Sequence, residues 1–364
     1  MSAVQGSRLR EARQAAGVTL TAMAAATCYS KGYLSNIELG RRPVPPEVLL
    51  AYERELADMD RRSVLTGLAA TALAPAAVGE LLHRGFTAAL GKRPDTERWL
   101  DRTATYGTRY MQLGAAEMQT ALAGDLVVLQ QQLEQPQLWA VAARLMTVYG
   151  KTLPSNTGGA GAIRWYRIAS VLADRSGDDA TRVWVRGRTA LALAYEGASL
   201  SVARDLADAA LAIDDRATLG RLNALVASAH IAGWRGDGAA ARRLLDDARR
   251  VFDVAGSAEQ ISDFAVPAWR FSTFASMLLS RLGDPTAERE QGAADAQRPA
   301  TLPRFATHIE LHRALMLARA GDRAGGRAYA RTALDRLPVE KRSLSLRLMA
   351  AEIDRVAGAA PRTN

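Results

Sequence analysis

The chain has 364 residues, 48% of them hydrophobic, and carries a formal net charge of +9. That much apolar side chain excludes a globally disordered chain, and the length predicts two or three domains unless a repeat array stretches one of them. The positive charge favours an anionic partner, nucleic acid first, while a single cysteine, Cys28, excludes an intrachain disulfide and a cysteine metal cluster and fits a reducing cytoplasm.

Met1 to Gly17 is polar and charged and does not read as a signal peptide. Leu9, Ala12 and Ala16 fall at helical spacing, and Gly17 stops that first helix. Thr19 and Thr21 are alternative caps for a short second helix, Leu20 to Thr27, with Met23 and Ala24 on its inner face. A turn through Cys28 leads to Ser30, the N-cap of a third helix from Lys31 to Glu38, whose buried pair is Leu34 and Ile37. Gly40 ends it, Pro43, Pro45 and Pro46 keep the next stretch extended, and Glu47 to Ala57 forms a further helix.

Three stretches of this region, Arg8 to Arg13, Gly17 to Leu20 and Tyr33 to Pro43, resemble the XRE family, which contains the phage Cro and repressor DNA-binding domains. The resemblance covers about 50 residues and implies a helix-turn-helix whose third helix enters the major groove of double-stranded DNA. Cys28 stands where the family often has glycine. The outward polar positions of the third helix are Ser30, Lys31, Ser35 and Asn36, with Gly32 among them. Asn36 suits adenine, Lys31 suits guanine, and Arg41 and Arg42 suit phosphates. Residues 1–46 hold six positive and two negative side chains. The resemblance also implies a partly buried salt bridge between Arg13 and Glu38, so that Arg13 is structural.

Arg61 to Gly67 and the Ala/Leu run to Val78 imitate a twin-arginine export signal. The segment follows a complete domain, and its run is shorter than the roughly 20 residues of a membrane helix, so a connecting helix is expected over 59–94.

From 95 to 364 helix pairs recur with glycine punctuation at Gly197, Gly236, Gly283 and Gly321, spaced 39, 47 and 38 residues apart. Such a period predicts an α-solenoid in which each unit buries its face on its neighbours. The first helices of the units are expected at Thr181–Glu196, Leu219–Arg235, Pro267–Leu282 and Arg304–Ala320, with earlier helices at Leu138–Thr152 and Ala162–Arg175. The last helix, Arg342–Val356, reads as a polar cap. The pattern resembles tetratricopeptide repeats, although its units exceed the roughly 34 residues of that family and lack most of its large aromatics. The resemblance implies a concave face lined by the first helices. Counting thirteen residues back from each glycine gives Trp184, Asn223, Arg270 and His308, and seven further on from these lie Leu191, His230, Met277 and Leu315. Of these eight, Trp184, Asn223, His230, Arg270 and His308 carry groups able to grip a ligand. These are the candidate ligand-binding residues, against the alternative of a solvated groove.

The expected class is therefore all-α: a small helix-turn-helix domain over 1–58, a connector over 59–94 and a tetratricopeptide-like domain over 95–364. No catalytic constellation stands out. Gly158-Gly159-Ala160-Gly161 lacks the lysine of a phosphate-binding loop, and Cys28 has no histidine in its own domain. His308 and His312 sit four apart without a third ligand. No enzyme activity, cofactor or metal is expected. The leading expectation is a cytoplasmic regulator that binds an operator as a homodimer and senses a peptide or small-molecule effector. The pairing of domains resembles peptide-responsive quorum-sensing regulators, and the Ala/Arg bias an actinobacterial relative. The alternative is an antitoxin-like protein–protein adaptor.

Overall fold

The structure, a computed structural model, describes residues 2–15, 18–27, 29–45, 47–49, 51–52, 95–133, 135–153 and 161–358. Cys28, the 59–94 connector with its Arg61–Val78 stretch, and the glycine loop at 158–160 lie outside the described residues. So does much of the expected Glu47–Ala57 helix, of which 47–49 and 51–52 are helical. Every regular element among the described residues is a helix. Packing divides the chain into two units, Met1–His83 and Arg84–Asn364.

The first unit contains α1 (Ser2–Ala15), α2 (Leu20–Thr27) and α3 (Lys31–Glu38). Leu9, Met23, Leu34, Ile37, Val48 and Tyr52 form its core. The Thr19 hydroxyl accepts from the Ala22 amide at 3.1 Å, which settles the choice of cap for α2. Ser30 accepts from the Tyr33 amide at 3.2 Å and caps α3, and Gly40 leaves that helix with φ +70°. The inner face of α1 differs from its apolar spacing. Ala12 is exposed and Arg13 is buried, because Arg13 reaches Glu38 across the core. Arg13 Nε and Nη2 meet Glu38 Oε1 and Oε2, each at 2.7 Å. Tyr52 donates to the same carboxylate at 2.8 Å, and Arg13 Nη1 donates to the Val18 carbonyl at 2.7 Å. Bidentate pairing with satisfied neighbours is the arrangement in which a buried ion pair holds.

The second unit is a row of helix hairpins: α4 (Thr96–Gln112) with α5 (Ala115–Leu129), α6 (Pro136–Gly150) with α7 (Ala162–Ser176), α8 (Asp179–Glu196) with α9 (Leu200–Ile213), α10 (Leu219–Trp234) with α11 (Gly238–Ala255), α12 (Ala268–Leu282) with α13 (Ala287–Gln297), and α14 (Pro303–Arg319) with α15 (Arg323–Asp335). The first helices stack in series, α4 on α6 through to α14, and α16 (Leu344–Gly358) follows on α14. Each second helix also touches the next first helix, so the apolar stripes of three helices meet in every layer. The four punctuating glycines have φ between +67° and +105°, a region closed to most side chains, and each turns the chain back at the end of a first helix. Asp237 and Asp322, next after two of them, cap α11 and α15 through the Ala240 and Gly325 amides.

α16 is not a polar cap. Leu346, Met349 and Ile353 are buried against α14 and α15, and Glu352 pairs with Arg281 of α12 at 2.9 Å. The row also closes on its own start. Arg304, at the head of α14, donates to the carbonyls of Tyr110, Met111 and Leu113 at 2.7, 3.3 and 3.2 Å, and Lys341 donates to that of Gln112 at 3.1 Å. Cations thus satisfy the free carbonyls at the C-terminal end of α4.

Candidate nucleic-acid interface and repeat-region pocket

Leu34 and Ile37 are fully buried and set the rotation of α3, so its opposite face is open. Ser30, Lys31 and Gly32 are exposed, Ser35 and Asn36 half-buried, and Arg41 and Arg42 exposed. The Asn36 carbonyl accepts from the Arg41 and Arg42 amides at 2.8 and 3.2 Å, which fixes the basic pair just beyond the helix. Arg42 also lies 5.6 Å from the centre of the Tyr33 ring, itself against Tyr29. The face therefore presents hydroxyl, amide and ammonium groups near the start of a helix with two guanidinium groups at its end. That order suits base edges first and phosphates second.

In the second unit a pocket opens inside the closed row. α4 contributes Tyr110, α8 contributes Arg188, Leu191, Tyr195 and Glu196, α12 contributes Arg270, Thr273 and Phe274, and α14 contributes Arg304, Phe305 and His308. Beneath it lies Asp263, 2% exposed, on the loop between α11 and α12. Its carboxylate receives Lys151 Nζ at 2.5 Å, Arg188 Nη2 at 2.8 Å and Arg270 Nη2 at 2.6 Å. Arg270 Nη1 also holds the carbonyls of Ser262 and Ala265, at 2.8 and 2.7 Å, so one guanidinium shapes the loop and pairs its charge. The Asp263 amide donates to the Gly107 carbonyl at 2.9 Å. A side chain at Gly107 would meet Ser262 Oγ at 2.5 Å, so only glycine lets α4 approach this loop.

Burial alone would raise the Asp263 carboxyl, but Arg188, Lys151 and Arg270 together hold it far below the usual carboxylate range. Burial pushes Lys151 well below the ordinary lysine value, the like charges of Arg188 and Arg270 push the same way, and Asp263 opposes them. His308 is lowered to about 3 by burial and by Arg304, so it is neutral near pH 7. The Tyr195 hydroxyl bridges His308 Nδ1 at 3.3 Å and His312 Nε2 at 3.0 Å, and Ser276 meets His312 Nδ1 at 2.8 Å. Among the described residues no cluster of three His, Cys, Asp or Glu side chains is placed to hold a metal ion, and no helix is long and apolar enough to cross a membrane.

Compared with known families, residues 6–54 match the sequence profile of a helix-turn-helix domain family found in XRE-like regulators. The chain carries a helix-turn-helix domain. The match takes in α2, α3 and the turn between them, and it supports DNA as a partner. No curated protein and no solved structure matches the chain.

The seven residues proposed from the sequence as DNA contacts lie together on α3 of the helix-turn-helix domain or at its two ends. The five ligand candidates are not brought together. Arg270 and His308 line the pocket, whereas Trp184, Asn223 and His230 do not. Trp184 packs on Phe264 with ring centres 5.2 Å apart, Asn223 is 1% exposed, and His230 is fully buried, accepting from Arg281 Nη1 through Nδ1 at 3.1 Å. Sequence reasoning missed Lys151, Arg188, Asp263 and Arg304. One signal pointed to Asp263: the interval of 47 residues between Gly236 and Gly283 is longer than its neighbours, and the extra length is the loop that carries it.

Proposed function

We propose that the chain is a sequence-specific, DNA-binding transcriptional regulator that reads an operator with α3, as a homodimer, in the cytoplasm. The observation that carries this reading is the helix-turn-helix match together with the open polar face of α3 followed by Arg41 and Arg42. Ser30, Lys31, Gly32, Ser35 and Asn36 approach the bases, and the arginines approach the backbone. Domain limits of 1–58, 59–94 and 95–364 fit this division of labour. The hairpin row is read as a tetratricopeptide-like sensor for a peptide or small molecule, with Arg270 and His308 in its binding site, and the chain as an actinobacterial, non-enzymatic relative of XRE regulators. The pocket inside the row supports a sensor over a plain scaffold.

The test is selection of duplexes from a random library by the full chain, followed by anisotropy titration of the selected site. Asn36→Ala and Lys31→Ala are each expected to weaken binding by about 1–3 kcal/mol per lost base contact, with unchanged circular dichroism. Wild-type affinity in both variants excludes α3 as the reading helix. A failure to enrich any sequence excludes specific recognition and moves the reading to a protein–protein adaptor.

A further inference from the structure

The repeat-region pocket holds more positive charge than its own carboxylates answer. Lys151, Arg188, Arg270 and Arg304 line it. Glu196 in the lining and Asp263 beneath are the carboxylates beside them, so the three arginines alone outnumber the carboxylates. Arg281, the other arginine of this unit buried among the described residues, is matched by Glu352. Buried like charges raise the free energy of the empty pocket, and an anion entering it lowers that free energy. Asp263 cannot supply more, because it already receives three cations.

Donors remain for a ligand. Arg188 gives Nη2 to Asp263, and among the described residues its other N–H groups meet no acceptor. A guanidinium with donors to spare, in a site partly shielded from water, is suited to a carboxylate or phosphate oxygen. Apolar and aromatic side chains lie beside these cations, Leu191, Phe274 and Phe305 among them, and Thr273 and Ser343 add hydroxyls.

We propose that this pocket binds a small organic anion, a carboxylate or phosphate carried on an apolar body, with the anionic group against Arg188 and the apolar part against Phe274 and Phe305. The inference deepens, and for its regulatory meaning rests on, the reading of the hairpin row as a sensor.

The test is calorimetric titration of the full chain with four probes: 4-phenylbutanoate, phenyl phosphate, 4-phenylbutanamide and 4-phenylbutylamine. At least one anion is expected to bind about tenfold or more tighter than the neutral amide, and the amine to bind more weakly than the amide. The two anions separate the carboxylate source from the phosphate source. Arg188→Gln leaves Asp263 paired with Lys151 and Arg270, and is expected to weaken the anion about tenfold while leaving the amide unchanged. Equal affinities across the four probes overturn the proposal, and so does unchanged anion affinity in Arg188→Gln. Should that variant not fold, the probe series on the unaltered protein decides alone. Anisotropy on the selected duplex, with and without the anion, separates the two readings. Anion binding without any change in DNA affinity supports the pocket and overturns the sensor. DNA binding in a protein that ignores both anions overturns the pocket and leaves the regulator standing.

Discussion

Arg13 and Arg41 show how burial alone puts two arginines of one small domain in different surroundings. Arg13 is 7% exposed and spends its donors on Glu38 and the Val18 carbonyl, whereas Arg41 is exposed beyond α3. Removing one partner of a buried pair leaves the other charge uncompensated, so Arg13→Ala is expected to destabilise the helix-turn-helix domain by about 3 kcal/mol. Arg41→Ala is expected to stay within about 0.5 kcal/mol of wild type. Urea unfolding of the full chain, followed by Tyr52 solvent exposure, separates the two; equal midpoints exclude a structural role for Arg13. His308 makes the corresponding case in the hairpin row. Its value of about 3 lies below the roughly 6.5 of an unfolded histidine. Between those limits the unfolded chain binds the proton and the folded chain does not. His308 therefore contributes stability that is complete above pH 6.5 and is lost as pH falls toward 3, at about 1.4 kcal/mol per pH unit. His230 and His312, also buried and also lowered, act in the same direction. Urea midpoints measured from pH 7.5 to pH 5 are expected to fall, and to fall less steeply in His308→Gln.

At the scale of elements, the hairpin row depends on turns whose backbone only glycine enters cheaply. Gly236 has φ +80° with no atom within 4 Å of an added Cβ, whereas at Gly197, φ +71°, that Cβ would lie 2.2 Å from the Trp234 ring. Alanine at Gly236 meets backbone strain alone, about 1–2 kcal/mol. Alanine at Gly197 adds displacement of an indole whose Nε1 donates to the Ala194 carbonyl at 2.8 Å. Thermal melts are expected to rank the two variants in that order, Gly197→Ala the lower. A reversed order would show that Trp234 yields freely. These four glycines were readable from the sequence because a helix stop is a local event. The first helices expected from their spacing match α8, α10, α12 and α14 to within two residues at each end. The 256–267 loop was not readable, because its conformation is held by Arg270 and Gly107 from two other elements.

At the scale of the whole molecule, one helix-turn-helix domain makes few base contacts, and specific recognition by this motif is normally doubled across two half-sites about 34 Å apart. Among its described residues, the apolar core of the first unit is packed internally, and a dimer is expected to be held by the rest of the chain. Light scattering is expected to give a particle of twice 39.0 kDa, and titration of the selected duplex two chains per site. A monomer that binds its site tightly would refute the dimer.

Local chemistry decided a good deal of this protein. Caps such as Ser30, stops such as Gly40 and Gly283, and the 3.6-residue spacing of Leu34 and Ile37 act over one or two turns, so the all-helical class, the helix limits and the open face of α3 follow from the chain itself. The Arg13–Glu38 pair was legible through family resemblance, since 25 residues separate its members. The repeat-region pocket was decided by tertiary structure. Counting positions along each first helix assigned Trp184, Asn223 and His230 to one concave strip, yet which side of such a helix faces the interior depends on how it crosses both neighbours. Packing buried those three and left Arg188, one turn beyond Trp184, to face the pocket. Lys151 and Asp263 are 112 residues apart, and what unites them is the closure of the row on its own first helix. Charge balance in a buried site is a property of all the elements that surround it, and no single stretch of sequence carries it.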